Sequence, residues 1–190
     1  MTFSLSRRQL LAGGAAAMSG AFGSRPAAAA VEAVRLGIAS YSLRELSLGD
    51  VIAAAQQLDT PYVNLKSFHL PYESTRDEIV SVRRRIQRAG LEIVGGGTIT
   101  LDQDDDEDIR SYFDYAKAAG MPLMVIAPTR ETLPRIEKFA KSYDIAVAIH
   151  NPGPEDPHFP GPIDALRAIE GMDTRVGVCV DVGHTARTGV

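Results

Sequence analysis

Three stretches of this chain end an apolar run in groups able to do chemistry. The most informative is Val178-Cys179-Val180-Asp181-Val182-Gly183-His184. An apolar strand would deliver the Asp181 carboxylate to its tip, Gly183 would permit a tight turn, and the His184 imidazole would return three residues on. Carboxylate and imidazole together suit a divalent ion such as Zn²⁺ or Mn²⁺. Spacing alone leaves a second reading open, in which Asp181 caps the following helix and His184 is a surface loop residue. A partner stands in Ile149-His150-Asn151-Pro152-Gly153-Pro154-Glu155-Asp156, where another apolar run ends in a histidine and turns sharply. Tips of adjacent parallel strands lie only about 5 Å apart, so His150 and Asp181 would converge. Glu155 and Asp156 read as further ligands or, more simply, as an acidic rim, and His158 as a loop residue. Asn64-Leu65-Lys66-Ser67-Phe68-His69 is a softer signal. Alternation points Asn64 and Lys66 to one face. There Lys66 would hold a developing oxyanion, or it would snorkel from the rim to water. His69, polar and just past the strand, is expected to line the same pocket.

The elements that must position these residues follow a regular rhythm. Apolar runs predict strands at Val34–Ala39, Tyr62–Lys66, Leu91–Val94, Leu123–Ile126, Ile145–Ile149 and Val176–Val180. Helical spacing of apolar residues predicts helices at Leu48–Leu58, Arg76–Ala89, Asp104–Ala119, Glu131–Tyr143 and Pro162–Ile169, with Gly90 and Gly120 as stops. Runs without alternation suit parallel strands buried on both faces. Strand starts recur at a mean of about 28 residues, the size of a βα unit with a right-handed crossover. An open doubly wound sheet or a closed eight-unit (β/α)8 barrel satisfies this pattern. No Gly-rich phosphate turn follows the first strand, and Gly95-Gly96-Gly97 lacks the dinucleotide-binding spacing. That triplet is expected to form a close turn at a barrel mouth. The polar residues all fall at C-terminal strand ends, where barrels place their chemistry. The fold expected is therefore α/β, of the (β/α)8 TIM-barrel type, with about six βα units present and the barrel incomplete.

The N-terminal thirty residues read differently. Ser6-Arg7-Arg8-Gln9-Leu10-Leu11 precedes a mild Gly/Ala-rich stretch ending in Pro26-Ala27-Ala28-Ala29-Ala30. Charged start, weakly apolar middle and small-residue end make an export signal, and the paired arginines select the twin-arginine route. The organisation expected is a signal over 1–30 and a barrel portion over 31–190, with a periplasmic destination. The Gly, Ala and Ser content makes a poor membrane anchor. Arg7, Arg8 and Arg25 would leave with the signal, so 17 basic residues would face 24 acidic ones, a net charge of −7. So acidic a body argues against nucleic-acid binding, which depends on neutralising phosphates. The single cysteine, Cys179, excludes an internal disulfide and reads as a small buried strand residue.

Arg175 to Gly189 resembles the sixth strand and loop of the sugar phosphate isomerase/epimerase family, the xylose-isomerase-like barrels. Ala148-Ile149-His150-Asn151, followed by Gly153-Pro154-Glu155-Asp156, resembles the fifth, and the βα rhythm agrees from residue 34 onward. The resemblance implies a metal-dependent isomerase or epimerase that moves a proton between adjacent carbons of a sugar or sugar phosphate through an enediolate. It implies a divalent ion (Mn²⁺, Zn²⁺ or Co²⁺) held by Asp181, His150 and His184. His150 and Lys66 would be catalytic, and His69, Asn151 and His184 would contact a small sugar. It leaves homo-oligomerisation open. The chain departs from the family in offering Asn64 and His150 where many relatives have carboxylates, and Pro152 where a second histidine often stands. The remaining ligands and an acid–base glutamate belong to seventh and eighth strands, so this 190-residue chain is expected to be a fragment, incomplete and inactive. An accessory sugar-binding barrel without catalysis is the alternative.

Overall fold

Six short apolar segments pair side by side, in sequence order, into one parallel sheet. A computed structural model describes residues 34–189. The export segment expected over 1–30 lies outside the described residues. The strands are β1 (Gly37–Ala39), β2 (Tyr62–Leu65), β3 (Glu92–Leu101), β4 (Leu123–Pro128), β5 (Ala146–His150) and β6 (Val176–Cys179). Their order is β1-β2-β3-β4-β5-β6, every neighbouring pair parallel. A doubly wound sheet reverses its strand order at a switch point. No reversal occurs here, so the sheet is six consecutive units of a barrel wall, open between β1 and β6.

Helices α1 (Leu48–Gln57), α2 (Arg76–Arg88), α3 (Asp106–Ala119), α4 (Leu133–Tyr143) and α5 (Pro162–Ala168) fill the crossovers, and the short α6 (Val182–Arg187) follows β6. Their starts are written locally. Ser47 with Asp50, and Thr75 with Glu78, form reciprocal capping boxes that satisfy otherwise orphaned N–H groups of α1 and α2. Asp105 caps α3 by accepting from the N–H groups of Glu107 and Asp108. Asp104 and Asp106 pair with Arg135 of α4, so the acidic run serves a helix start and a helix–helix contact. Gly120 ends α3 at φ 70°, a left-handed conformation natural to glycine. Phe113 of α3 is fully buried and stacks on Phe139 of α4 with centroids 5.8 Å apart. Ile99, Leu101, Met124, Ile126, Val147 and Ile149 are fully buried in the central strands. No helix among the described residues is long and apolar enough to cross a membrane.

Two expectations need correction. β1 is three residues long and does not reach back to Val34, because Gly37 pairs with Tyr62, the first residue of β2, and nothing upstream offers a partner. β3 runs ten residues, straight through Gly95-Gly96-Gly97. The triplet is no mouth turn: a Cβ on Gly96 would collide with the Met121 side chain, and one on Gly97 with the Val125 carbonyl. Here glycine lets neighbouring chain come close to a strand.

Candidate active site

A cleft of about 350 Å³ opens at the C-terminal ends of the strands. Asn64 lines it from β2 and Lys66 from just past the end of β2, Gly97 and Thr98 from β3, and His150, Cys179, Asp181 and His184 from the β5–β6 side. Ala39, Tyr41 and Val125 supply apolar surface.

The β5–β6 wall is built by register. His150 pairs with Cys179, so Asp181 lies just beyond the sheet, where its side chain can turn back. His150 Nε2 and Asp181 Oδ2 stand 3.4 Å apart. The other carboxylate oxygen, Oδ1, accepts the His184 backbone N–H at 2.9 Å and caps α6. The capping reading and the site reading of Asp181 thus hold together, each on a different oxygen. That backbone hydrogen bond, with the nearby imidazoles, holds the Asp181 carboxyl below the usual carboxylate range. His150 and His184 meet edge to face, with ring centroids 5.7 Å apart.

Ligand atoms of His150, Asp181 and His184 all lie within 4.8 Å of one another. A tetrahedral ion bound at about 2.1 Å spaces its ligands by about 3.4 Å, which is the His150–Asp181 separation. Two half-buried imidazoles and a carboxylate are also the donor types that first-row divalent ions accept. The residues present therefore fit such an ion.

Asn151 was expected to contact substrate, and the structure places it elsewhere. It is 0% exposed, out of reach of a ligand. Its Oδ1 accepts the Asp181 N–H at 2.8 Å, while Nδ2 donates to the Asp181 carbonyl at 3.3 Å and to Thr185 Oγ1 at 3.1 Å. The amide mimics a strand rung and fastens the Asp181 peptide. His69 also lies off the cleft lining. It is buried, and its Nε2 donates to the Leu46 carbonyl at 3.0 Å, tying the loop after β2 to the segment before α1. His69 turns aside because a helical turn after Lys66 (His69 N–H to Lys66 O, 2.9 Å) carries its ring away from the sheet axis.

The opposite wall presents a cation. Lys66 Nζ donates to the Thr98 carbonyl, and burial lowers its pKa from the ordinary lysine value. The fully buried Ser40 accepts the Lys66 backbone N–H on its Oγ at 2.8 Å, so the turn after β1 sets the height of the lysine. Asn64 Nδ2 donates to the Gly97 carbonyl, leaving its buried Oδ1 without a partner.

Two groups escaped the sequence reading. Cys179 lines the cleft and is only half-buried; its two-residue spacing from Asp181 was the available signal, since alternation puts both on one face. Arg187 bonds both Glu155 and His184. No local pattern announces that contact, because Glu155 and Arg187 are 32 residues apart.

No family model matches the chain, and no curated protein matches it. Solved structures do. An uncharacterised protein from Parabacteroides distasonis ATCC 8503 superposes with a TM-score of 0.68 at 26% identity, over 82% of this chain and 66% of that one. D-psicose 3-epimerase, determined in the presence of D-fructose, gives 0.65 at 16% identity, over 80% and 65%. L-ribulose 3-epimerase gives 0.61 at 15% identity, over 81% and 62%. The chain spans less than two thirds of the length of each. These likenesses show the fold: a xylose-isomerase-like TIM barrel, here as six parallel βα units in an open sheet. Other structures that superpose include a probable 3-DHS dehydratase from Bacillus anthracis and xylose isomerase domain proteins, so the fold is common to more than one activity.

Proposed function

We propose that this protein is a metal-dependent isomerase or epimerase of a sugar or sugar derivative, exported by the twin-arginine route. One observation carries the reading. His150, Asp181 and His184 converge at the strand tips, and Lys66 faces the same cleft from the other side. Neighbours on this fold include epimerases of D-psicose and L-ribulose. Export rests on Ser6-Arg7-Arg8 and the small-residue stretch behind it.

When bound, a divalent ion would polarise neighbouring oxygens of the sugar and lower the cost of an enediolate. His150 and Asp181 would hold it. His150 cannot ligate and accept a proton through one nitrogen, so its place beside Asp181 assigns it to holding. Lys66 supplies the complementary charge. Its ammonium sits in a partly desolvated wall, where a fixed donor stabilises a developing oxyanion more than it would in water. Its lowered pKa also eases transfer of a proton to that oxygen. Tyr41, Val125 and Ala39 would offer apolar surface to the carbon skeleton of the sugar.

One observation favours the non-catalytic alternative: among the described residues lining the cleft, Asp181 is the sole carboxylate, and it belongs to the cation cluster. Exchange in D₂O separates the two. The protein, in a form carrying all eight βα units, is incubated with Mn²⁺ and a panel of ketoses and aldoses, and deuterium at the carbon next to the carbonyl is followed by NMR. Incorporation that depends on Lys66 supports the enzyme. Saturable sugar binding without incorporation contradicts it. For export, replacing Arg7 and Arg8 by lysine should trap a reporter fusion in the cytoplasm, whereas unaltered export would contradict that part.

A further inference from the structure

Among the described residues, Arg187 is the one strong cation hydrogen-bonded to the imidazole pair, and its chemistry decides what His184 can do. Arg187 Nη1 lies 3.0 Å from His184 Nδ1. A guanidinium has donors and no acceptor, and it stays protonated. The contact is a hydrogen bond only if Nδ1 offers its lone pair. In the neutral imidazole the proton must then sit on Nε2, which leaves Nε2 a donor with no lone pair for a cation. Glu155 holds the same guanidinium from the other side through Nη2.

The loop after β5 is shaped for this arrangement. Gly153 is buried at φ +114°, and a Cβ there would lie 2.9 Å from Arg187 Nη1, 3.1 Å from Glu155 Oε2 and 3.3 Å from His184 Nδ1. Glycine is thus what lets the three groups close over one point of backbone. The Arg187–Glu155 pair is exposed, with 46% and 68% of its side-chain surface open, so it adds little stability. Its effect lies in aiming the guanidinium.

We propose that Arg187, anchored by Glu155, is a positioning residue that fixes His184 with its proton on Nε2. His184 then meets a bound sugar oxygen as a hydrogen-bond donor, while His150 and Asp181 hold the cation. The inference rests on the cation-assisted reading of the cleft and narrows it, because of the two roles expected for His184, ion ligand and sugar contact, the Arg187 contact leaves only the second. It also gives the Glu155 rim a task.

The test is a long-range ¹H–¹⁵N correlation spectrum of the full chain with ¹⁵N-labelled histidine, the His184 signals being assigned by their loss in His184→Gln. His184 should show a single tautomer, with Nδ1 unprotonated and Nε2 protonated. In Arg187→Met its two nitrogen signals should move toward their average, and in Glu155→Gln they should move part of the way. A proton on Nδ1 in the wild type, or signals unmoved in either variant, overturns the proposal. Added Zn²⁺ should shift the His150 signals and leave His184 with its protonated Nε2. A His184 nitrogen that takes on the shift of a zinc ligand overturns the proposal and restores the three-ligand set. If Zn²⁺ moves neither histidine, the cation reading fails while the Arg187-dependent tautomer stands or falls on its own spectrum.

Discussion

The two walls of the cleft are made in different ways. On the β5–β6 side, Asp181 is pinned at backbone, at both carboxylate oxygens and through the buried Asn151 amide, so an anionic group is held still. On the β2–β3 side, Lys66 hangs on one carbonyl and on the Ser40 bond to its backbone. A cation site needs fixed ligands, because its geometry leaves little slack. A group that meets charge as it develops on a substrate needs mainly the right sign and a partly dry setting. The rigid wall therefore suits a permanent ion and the looser wall a transient charge.

That contrast can be broken by substitution. Removing the fixed anion with Asp181→Ala should lower Mn²⁺ affinity by roughly 100-fold or more, since even outer partners of ligands are worth 10–100-fold. Lys66→Met should leave it nearly unchanged, and calorimetric titration of both variants checks the pair. Equal losses would erase the distinction between the walls. Asn151→Ala should lower the unfolding free energy by about 2 kcal/mol, because it strands the Asp181 N–H, whereas the Asp181 carbonyl keeps the Thr185 N–H and hydroxyl. Ser40→Ala, which removes one bond to the other wall, should cost only about 1 kcal/mol in the same urea unfolding experiment.

The smallest effect is on pH dependence. Burial depresses the folded pKa of Lys66 below its unfolded value of 10.5. Between those two values the unfolded chain binds more protons, so stability rises with pH across that window. The cost of the charged, desolvated lysine is fully present below the folded pKa. Wild type should therefore gain on Lys66→Met as pH climbs through the window between the lowered folded pKa and 10.5, as read from paired urea midpoints. A constant difference would mean that burial does not burden the ammonium.

Much of the fold was legible because parallel strands and their covering helices write different periods into the chain. The runs at Val147–Ile149 and Leu123–Ile126 and the stripe of Ile109, Phe113 and Ala116 needed no tertiary information. Gly95-Gly96-Gly97 misled, because glycine marks both turns and close approaches, and the Met121 side chain and Val125 carbonyl that decide between them are distant in sequence. At the site, His150, Asp181, His184 and Lys66 were visible as polar residues ending apolar runs. The bracing role of Asn151 was hidden for a related reason. A polar residue at a strand tip can face the ligand or brace the neighbouring strand, and only the register with β6 distinguishes them. The Arg187–Glu155 contact was invisible because it joins two loops across a folded edge.

The central claim is that His150 and Asp181 together form a cation site facing Lys66. Co²⁺ titration, followed by visible absorption, tests it most directly, since band position and intensity report imidazole ligation and low coordination number. Saturable bands with one ion per chain are expected in the wild type and in Lys66→Met, with loss in both His150→Ala and Asp181→Ala. Identical spectra in all four proteins, or no bands in any, would contradict it.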